Sequence, residues 1–388
     1  MAELLFKLFI KDYNNVSDPH VREKYGVLGS ISGIALNVIL CIIKICIAIL
    51  SMSVSILTDA FNNLSDALSS IITLIGFKMS SKPADKQHPF GHGRIEYISS
   101  LFVAVFILYM GIELAKSSFE KIISAEPIIF SYVSLTILTI SILIKLWMFL
   151  FYRQIGQKIS SQSIIAASKD SLSDCVATTA VLIGMILFKI TEYSFDGYIG
   201  LIVAAFILYT GYQTIRDSLS PLLGQPPSEE LVKQIKDLVM SHDGVIGMHD
   251  LIIHNYGPTR FMLSLHAEVS ADDDVIKLHD TIDLIEKKLC EKYKCDAVIH
   301  LDPIETNNAL IFQMRAVVEN IIYKIDARLS IHDFRLVTGP THTNLIFDLV
   351  VPYDFKISDE LITSQIQEEV RALDSSYFTV INIDKNYI

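Results

Sequence analysis

Residues 53–77 read SVSILTDAFNNLSDALSSIITLIGF. A bilayer core about 30 Å thick is crossed by roughly 20 mainly apolar helical residues, so this run has the length and composition of a membrane span. It nevertheless carries Asp59, Asn62, Asn63 and Asp66. Such groups inside a span are expensive and by default mark a pathway or an ion site. Five further apolar runs lie at about 27–50, 95–117, 128–151, 162–188 and 197–219, the one at 162–188 carrying Asp170 and Asp174. The expected fold of this half is a membrane all-α domain of six transmembrane helices, with both chain ends on one side of a multi-pass cell-membrane protein.

The loops between runs two and three (Lys78, Lys82, Lys86, Arg94) and between runs four and five (Arg153, Lys158) are more basic than those on the opposite face. The positive-inside rule then puts the N- and C-termini in the cytoplasm. No apolar core leading to a small-residue cleavage site occurs in residues 1–24, so a cleaved signal peptide is not expected.

The 388-residue chain is 51% hydrophobic yet has a net charge of −11. That combination excludes a disordered or nucleic-acid-binding polypeptide. The average conceals a division: residues 1–220 sum to +1 and residues 221–388 to −12. Five cysteines without CxxC spacing argue against a disulfide framework or a zinc ribbon.

After Gly224-Gln225-Pro226-Pro227 the pattern becomes that of a soluble α+β fold. A helix is expected from Ser228, an N-cap followed by Glu229 and Glu230. Strands follow at about 248–255 and 260–269, a helix at 272–292 and a strand at 296–301, an αββαβ order that suits a ferredoxin-like domain. Residues 305–388 repeat it: His249-Asp250-Leu251 matches His332-Asp333-Phe334, Gly257-Pro258-Thr259 matches Gly339-Pro340-Thr341, and residues 298–302 match 380–384, at offsets of 83, 82 and 82. The expected domains are a cytoplasmic segment 1–24, a six-helix transport domain 25–221, a ferredoxin-like domain 222–304 and its tandem repeat 305–388.

Asn62 and Asp66 are i, i+4 on a helix, as are Asp170 and Asp174, so each pair projects from one helix face. Where the two faces meet, clustered carboxylates repel one another and take up protons, and a divalent cation relieves that cost. This is the physical minimum for metal/proton exchange. Lys145, near a span end, is expected to snorkel toward the interface, and Lys44 to find a carboxylate.

The run Ser53 to Leu57 with Thr58 to Asp66, the stretch Pro83 to Arg94 containing His88-Pro89-Phe90-Gly91-His92, the pair Asp170 and Asp174, and Gly257 to Phe261 together resemble the cation diffusion facilitator family over roughly residues 25–304. The resemblance implies a homodimeric, proton-coupled exporter of divalent metal ions with a cytoplasmic ferredoxin-like domain and no prosthetic group. It places the transport site at Asn62, Asp66, Asp170 and Asp174, with Asp59 and Asn63 as a rival register. Zinc-transporting members carry His in this set. Here all donors are oxygens, which suit Mn²⁺, whereas imidazole suits Zn²⁺. The resemblance therefore sharpens to the manganese-exporting branch, with a Zn²⁺ or Fe²⁺ exporter as the alternative, and one of the two carboxylates of 170 and 174 is expected to carry the counter-proton.

Asp85, His88 and His92 match a second family site, and His249, His266, His300 and Asp302 fall where the family places metal ligands at the dimer interface, so that cytoplasmic metal acts as a regulator. The corresponding positions in the second repeat are His332, Asp348, Asn382 and Asp384, a set expected to widen or tune the dimer contact. Arg94 matches a basic residue that pairs with an acid near the end of the last span, for which only Asp217 is near. Four His-Asp dipeptides, at His242, His249, His279 and His332, raise a distant alternative, a membrane-tethered metallohydrolase; His249 and His332, however, open expected strands.

Overall fold

The computed structural model describes residues 2–16, 18–51, 54–123, 132–191, 193, 195–258, 260–305, 308–339 and 341–386. It divides into two compact units, Met1–Gln225 with Asn255–Arg260, and Pro226–His254 with Phe261–Ile388.

The first unit is helical: α1 Ala2–Phe9, α2 Pro19–Ser51, α3 Val54–Ser80, α4 Ile95–Ile123, α5 Tyr132–Lys158, α6 Gln162–Thr191 and α7 Asp196–Leu223. Among the described residues, five of these (α2, α4, α5, α6 and α7) are long and apolar enough to cross a membrane. Helix α3 is 27 residues long, about 40 Å at 1.5 Å per residue, but its polar residues lower its hydropathy and it is not among the five. Outward-facing Ile42, Phe102, Leu143 and Ile202 are exposed, which a lipid solvent accepts without the hydrophobic penalty that water imposes. Where α4 and α7 pack, Gly111 and Gly211 let Leu208 and Leu108 approach closely; an added Cβ would stand 2.9 and 2.7 Å from those side chains.

Helix α1 goes beyond the sequence reading, which had residues 1–24 only as a cytoplasmic segment. Phe6 is buried against Tyr25, ring centroids 5.0 Å apart, and stacks on Phe151 at 5.9 Å. Its eight residues are too short a run for a periodicity signal, and burial comes from partners distant in sequence. Helix α7 ends at Leu223 because Gly224 takes a left-handed conformation (φ 98°) and returns its N–H to Ser220 O, the glycine-terminated helix end.

The second unit contains two subdomains of the same order: α8 Glu229–Met240, β1 Val245–Asn255, β2 Phe261–Ser270, α9 Val275–Tyr293, β3 Asp296–Ile304, then α10 Ala309–Ile325, β4 Ser330–Thr338, β5 Thr343–Pro352, α11 Asp359–Leu373, β6 Tyr377–Asn386. Each sheet has three strands, ordered β1-β2-β3 and β4-β5-β6. The β2/β3 and β5/β6 pairs are parallel and share one register, Met262 facing Asp296 and Thr343 facing Tyr377. Ser228 caps α8 and Ser358 caps α11, each accepting the N–H three residues on. Asp250 and Asp333 occupy equivalent positions, and both are left-handed, with φ of 50° and 52°; Asp tolerates that region better than most residues. Ile235, Leu265, Ile285 and Leu289 fill one core and Val318, Phe347, Leu349 and Ile366 the other.

Candidate metal sites

Helices α3 and α6 bring Asp66, Asp170 and Asp174 together, with one carboxylate oxygen of each within 4.8 Å of the others. Asp66 is buried, and Asp170 and Asp174 half-buried. Asn62, half-buried, stands one turn before Asp66 on the same helix face. Asp66 of α3 and the i, i+4 pair of α6 therefore converge on one point, each with a carboxylate oxygen.

A lysine occupies that point. Lys145 of α5 is 3% exposed, and its Nζ donates to Asp66 Oδ2 at 2.6 Å and to Asp174 Oδ2 at 2.7 Å. The expectation that Lys145 snorkels is thus corrected. An ammonium held by two carboxylates satisfies charges that would otherwise be stranded in a dry interior, a stronger pull than the interface exerts. Lys44, also buried, donates to Asn63 Oδ1 at 3.4 Å. That contact joins Asn63 to α2, while the Asp59 side chain of the rival register lies outside the described residues.

A second buried ion pair lies in the same unit. Arg22 of α2 meets both oxygens of Glu96 on α4, at 2.9 and 2.7 Å, and donates through Nε to Ile159 O at 3.1 Å. Glu96 is fully buried. Neither residue was singled out in the sequence, where Arg22 precedes the first apolar run and Glu96 stands at the start of the run at 95–117. Arg94 does not reach Asp217; it donates from Nε and Nη2 to Asn255 O at 3.1 and 2.8 Å. Asp217 pairs instead with Lys169 of α6 at 2.9 Å.

In the loop after α3, Asp85, His88 and His92 converge as the spacing anticipates. Their ligand atoms lie within 4.8 Å of one another, and the two rings are 4.5 Å apart. The backbone N–H of His88, 2.7 Å from Asp85 Oδ1, holds the Asp85 carboxyl below its ordinary range. His92 is nearly buried, with Nε2 3.6 Å from Asp85 Oδ2.

In the second unit, His249 of β1, His266 of β2 and Asp302 of β3 gather across the first sheet. His266 Nδ1 lies 2.8 Å and His249 Nε2 3.2 Å from Asp302 Oδ2, and His300 Nε2 3.2 Å from Oδ1. The parallel register explains this, because it sets His266 opposite His300 and Glu268 opposite Asp302. Burial disfavours a charge on His249, yet the Glu268 carboxylate 3.2 Å away outweighs it and raises the imidazole above its usual pKa. In the second subdomain His332, Asp348 and Asp384 form a corresponding group. Asn382, opposite Asp348 in the register, takes the place of an imidazole.

Comparison with known proteins agrees with this geometry. The profile of the cation efflux transmembrane domain matches residues 30–223, and that of the cation efflux protein cytoplasmic domain matches residues 227–304. The chain is 32% identical to the uncharacterized transporter MJ0449 of Methanocaldococcus jannaschii over 276 residues, covering 71% of this chain and 97% of that protein. It is 30% identical to the cation-efflux pump FieF of Yersinia enterocolitica over 236 residues and 29% identical to that of Salmonella newport over 240, in each case 61% of this chain and 78% of the relative. The metallohydrolase alternative is overturned by these matches, and His249 and His332 stand on β1 and β4. The chain therefore belongs to the cation efflux family and is a membrane transporter of cations with a cytoplasmic domain, not an enzyme.

Proposed function

We propose that this protein is a homodimeric antiporter of six spans, α2 to α7, that exports Mn²⁺ from the cytoplasm across the cell membrane in exchange for protons, with Asn62, Asp66, Asp170 and Asp174 as the transport site. The observation that carries this reading is the convergence of Asp66, Asp170 and Asp174 on one point that already holds a cation, the Lys145 ammonium. A site that binds an ammonium through two carboxylates is built for positive charge, and a donor set of oxygens alone favours Mn²⁺ over Zn²⁺. The basic loops support cytoplasmic termini, and the matching element order and register of the two subdomains support a tandem duplication of domain 222–304 as 305–388. In this reading Asp85, His88 and His92, and His249, His266, His300 and Asp302, bind cytoplasmic metal as a regulator.

Lys145 gives the exchange a physical basis. A divalent ion and an ammonium within 3 Å of the same oxygens repel strongly at low dielectric. Arrival of metal from the cytoplasm therefore expels the ammonium or its proton, and departure of metal draws a positive charge back. Lys145→Met removes the competitor and is expected to bind Mn²⁺ at least about tenfold more tightly, since two charge-assisted bonds worth about 1.5–3 kcal/mol each no longer need breaking, while transporting it more slowly because release is impaired. Titration of purified protein, paired with transport rates, checks both; weaker binding by Lys145→Met would refute the competition.

The overall reading is tested by uptake into proteoliposomes under an imposed pH gradient with Mn²⁺, Zn²⁺, Fe²⁺ and Cd²⁺ in parallel. Mn²⁺ is expected to move fastest and only with the gradient; faster Zn²⁺ or Fe²⁺ movement would make the protein a Zn²⁺/Fe²⁺ exporter. Asn62→His, which adds an imidazole to the set, is expected to shift the Zn²⁺ to Mn²⁺ rate ratio upward by about tenfold or more.

A further inference from the structure

Between the carboxylate cluster and the basic-loop end of the first unit, two aromatic side chains are seated on glycines of α2. A Cβ added at Gly33 would overlap the Tyr152 hydroxyl and stand 2.8 Å from Ser70 Oγ, and one added at Gly26 would overlap the Phe77 ring. Gly26 and Gly33, about two turns apart, share one face of α2. Tyr152 is 2% exposed and Phe77 is fully buried. Ser70 follows Asp66 by one turn of α3, and Tyr152 follows Lys145 by about 10 Å along α5. Both steps run toward the helix ends at Ser80 and Lys158, where the basic loops lie. The phenol therefore stands between the cluster and that end, at the junction of α2, α3 and α5.

A plug that served packing alone would need no hydroxyl. Among the described residues, Tyr152 Oη makes no hydrogen bond of normal geometry, and neither does Ser30 Oγ, which lies between the two glycines on the same face of α2 and is buried as deeply. Ser70 Oγ, beside the phenol, donates to Asp66 O at 3.0 Å, so its own proton is spent within α3. Burying polar atoms in this condition is costly, and water entering between the helices removes that cost. The junction is thus closed by shape and opposed by polarity, as suits an element with two arrangements of similar free energy.

We propose that Tyr152 gates the passage between the transport cluster and the cytoplasm. Seated on Gly33 the phenol closes the passage, and off the glycine it lets water and the ion reach Asp66. Tyr152 ligates nothing and controls access only. Gly33 is the other half of the gate, since a residue with a Cβ leaves no room for the hydroxyl. The proposal rests on reading Asp66, Asp170 and Asp174 as the transport site.

Met148, 2% exposed, lies on α5 between Lys145 and Tyr152 and on their face. Met148→Cys in the full chain therefore reports on the gate through its rate of modification by a membrane-impermeant cationic methanethiosulfonate, read at residue 148 by mass spectrometry. The reagent is offered to the cytoplasmic face in inverted membrane vesicles and to the opposite face in spheroplasts. In that background Gly33→Ala, which displaces the hydroxyl, and Tyr152→Ala, which removes the ring without adding an atom, are each expected to raise the rate from the cytoplasmic face at least about tenfold by depopulating the closed state. The rate from the opposite face is expected to stay unchanged. Gly33→Ala combined with Tyr152→Phe is expected to return to within about threefold of the parent, because the overlapping oxygen is gone and Cζ stands 3.1 Å from the new methyl group. Tyr152→Phe alone, which closes without burying a hydroxyl, is expected to react about tenfold more slowly than the parent. An unchanged rate in both Gly33→Ala and Tyr152→Ala, acceleration from the opposite face, no rescue in the combined variant, or faster modification of Tyr152→Phe would each overturn the proposal. Labelling needs no transported ion, so failure of the transport reading would appear only in the proteoliposome assay.

Discussion

Mn²⁺ uptake by proteoliposomes is expected to fall at least about 100-fold when Asp170 and Asp174 are both changed to asparagine. Both side chains lie in the carboxylate cluster with Asp66, and exchanging two anions for neutral amides removes most of the charge that binds a divalent ion. Charge-assisted contacts are worth about 1.5–3 kcal/mol each, so losing two removes 100-fold or more in affinity. The variant should still fold, since Asn matches Asp in shape and Lys145 keeps its contact with Asp66. Any residual flux is expected to have lost its dependence on the pH gradient. Transport that kept its full gradient dependence would show that the counter-proton travels elsewhere, and undiminished transport would remove the cluster from the pathway.

The largest expected effect on stability lies at Arg22 and Glu96. Removing one member of a buried ion pair leaves the other uncompensated, at about 3–5 kcal/mol, while replacing both by apolar groups is often neutral. Glu96 is fully buried and meets Arg22 Nη2 with both carboxylate oxygens and, through the same side chain, Ser161 and the Gln162 backbone. Glu96→Ala is therefore expected to lower the thermal midpoint in detergent by about 10 °C, and Arg22→Met with Glu96→Leu to recover most of it. Recovery falls short by the Arg22 bond to Ile159 O. A midpoint unmoved by Glu96→Ala would mean that water reaches this pair and screens it.

The two i, i+4 pairs were legible because helical spacing is local: once a run is a helix, residues four apart share a face. The αββαβ order was legible for the same reason, since alternation, caps and turn residues are short-range signals, and Ser228 caps its helix as read. Helix α1 was missed because its burial depends on Phe151 and Tyr25 rather than on its own pattern. Lys145 was misplaced because hydropathy registers a lysine near a span end without its partners, which lie 79 and 29 residues away.

What the sequence determined by itself is the membrane half and the acidic half, the polar pairs on single helix faces, and the offset of 82 to 83 residues between the two soluble subdomains. What only the tertiary structure decided is which faces meet: that α3, α5 and α6 turn Asp66, Lys145, Asp170 and Asp174 to one point, and that β1 and β4 stack His249 on His332. The reason is physical. Backbone hydrogen bonding and side-chain period fix an element from its own residues, whereas the rotation of one element against another is set by packing between side chains far apart in the chain.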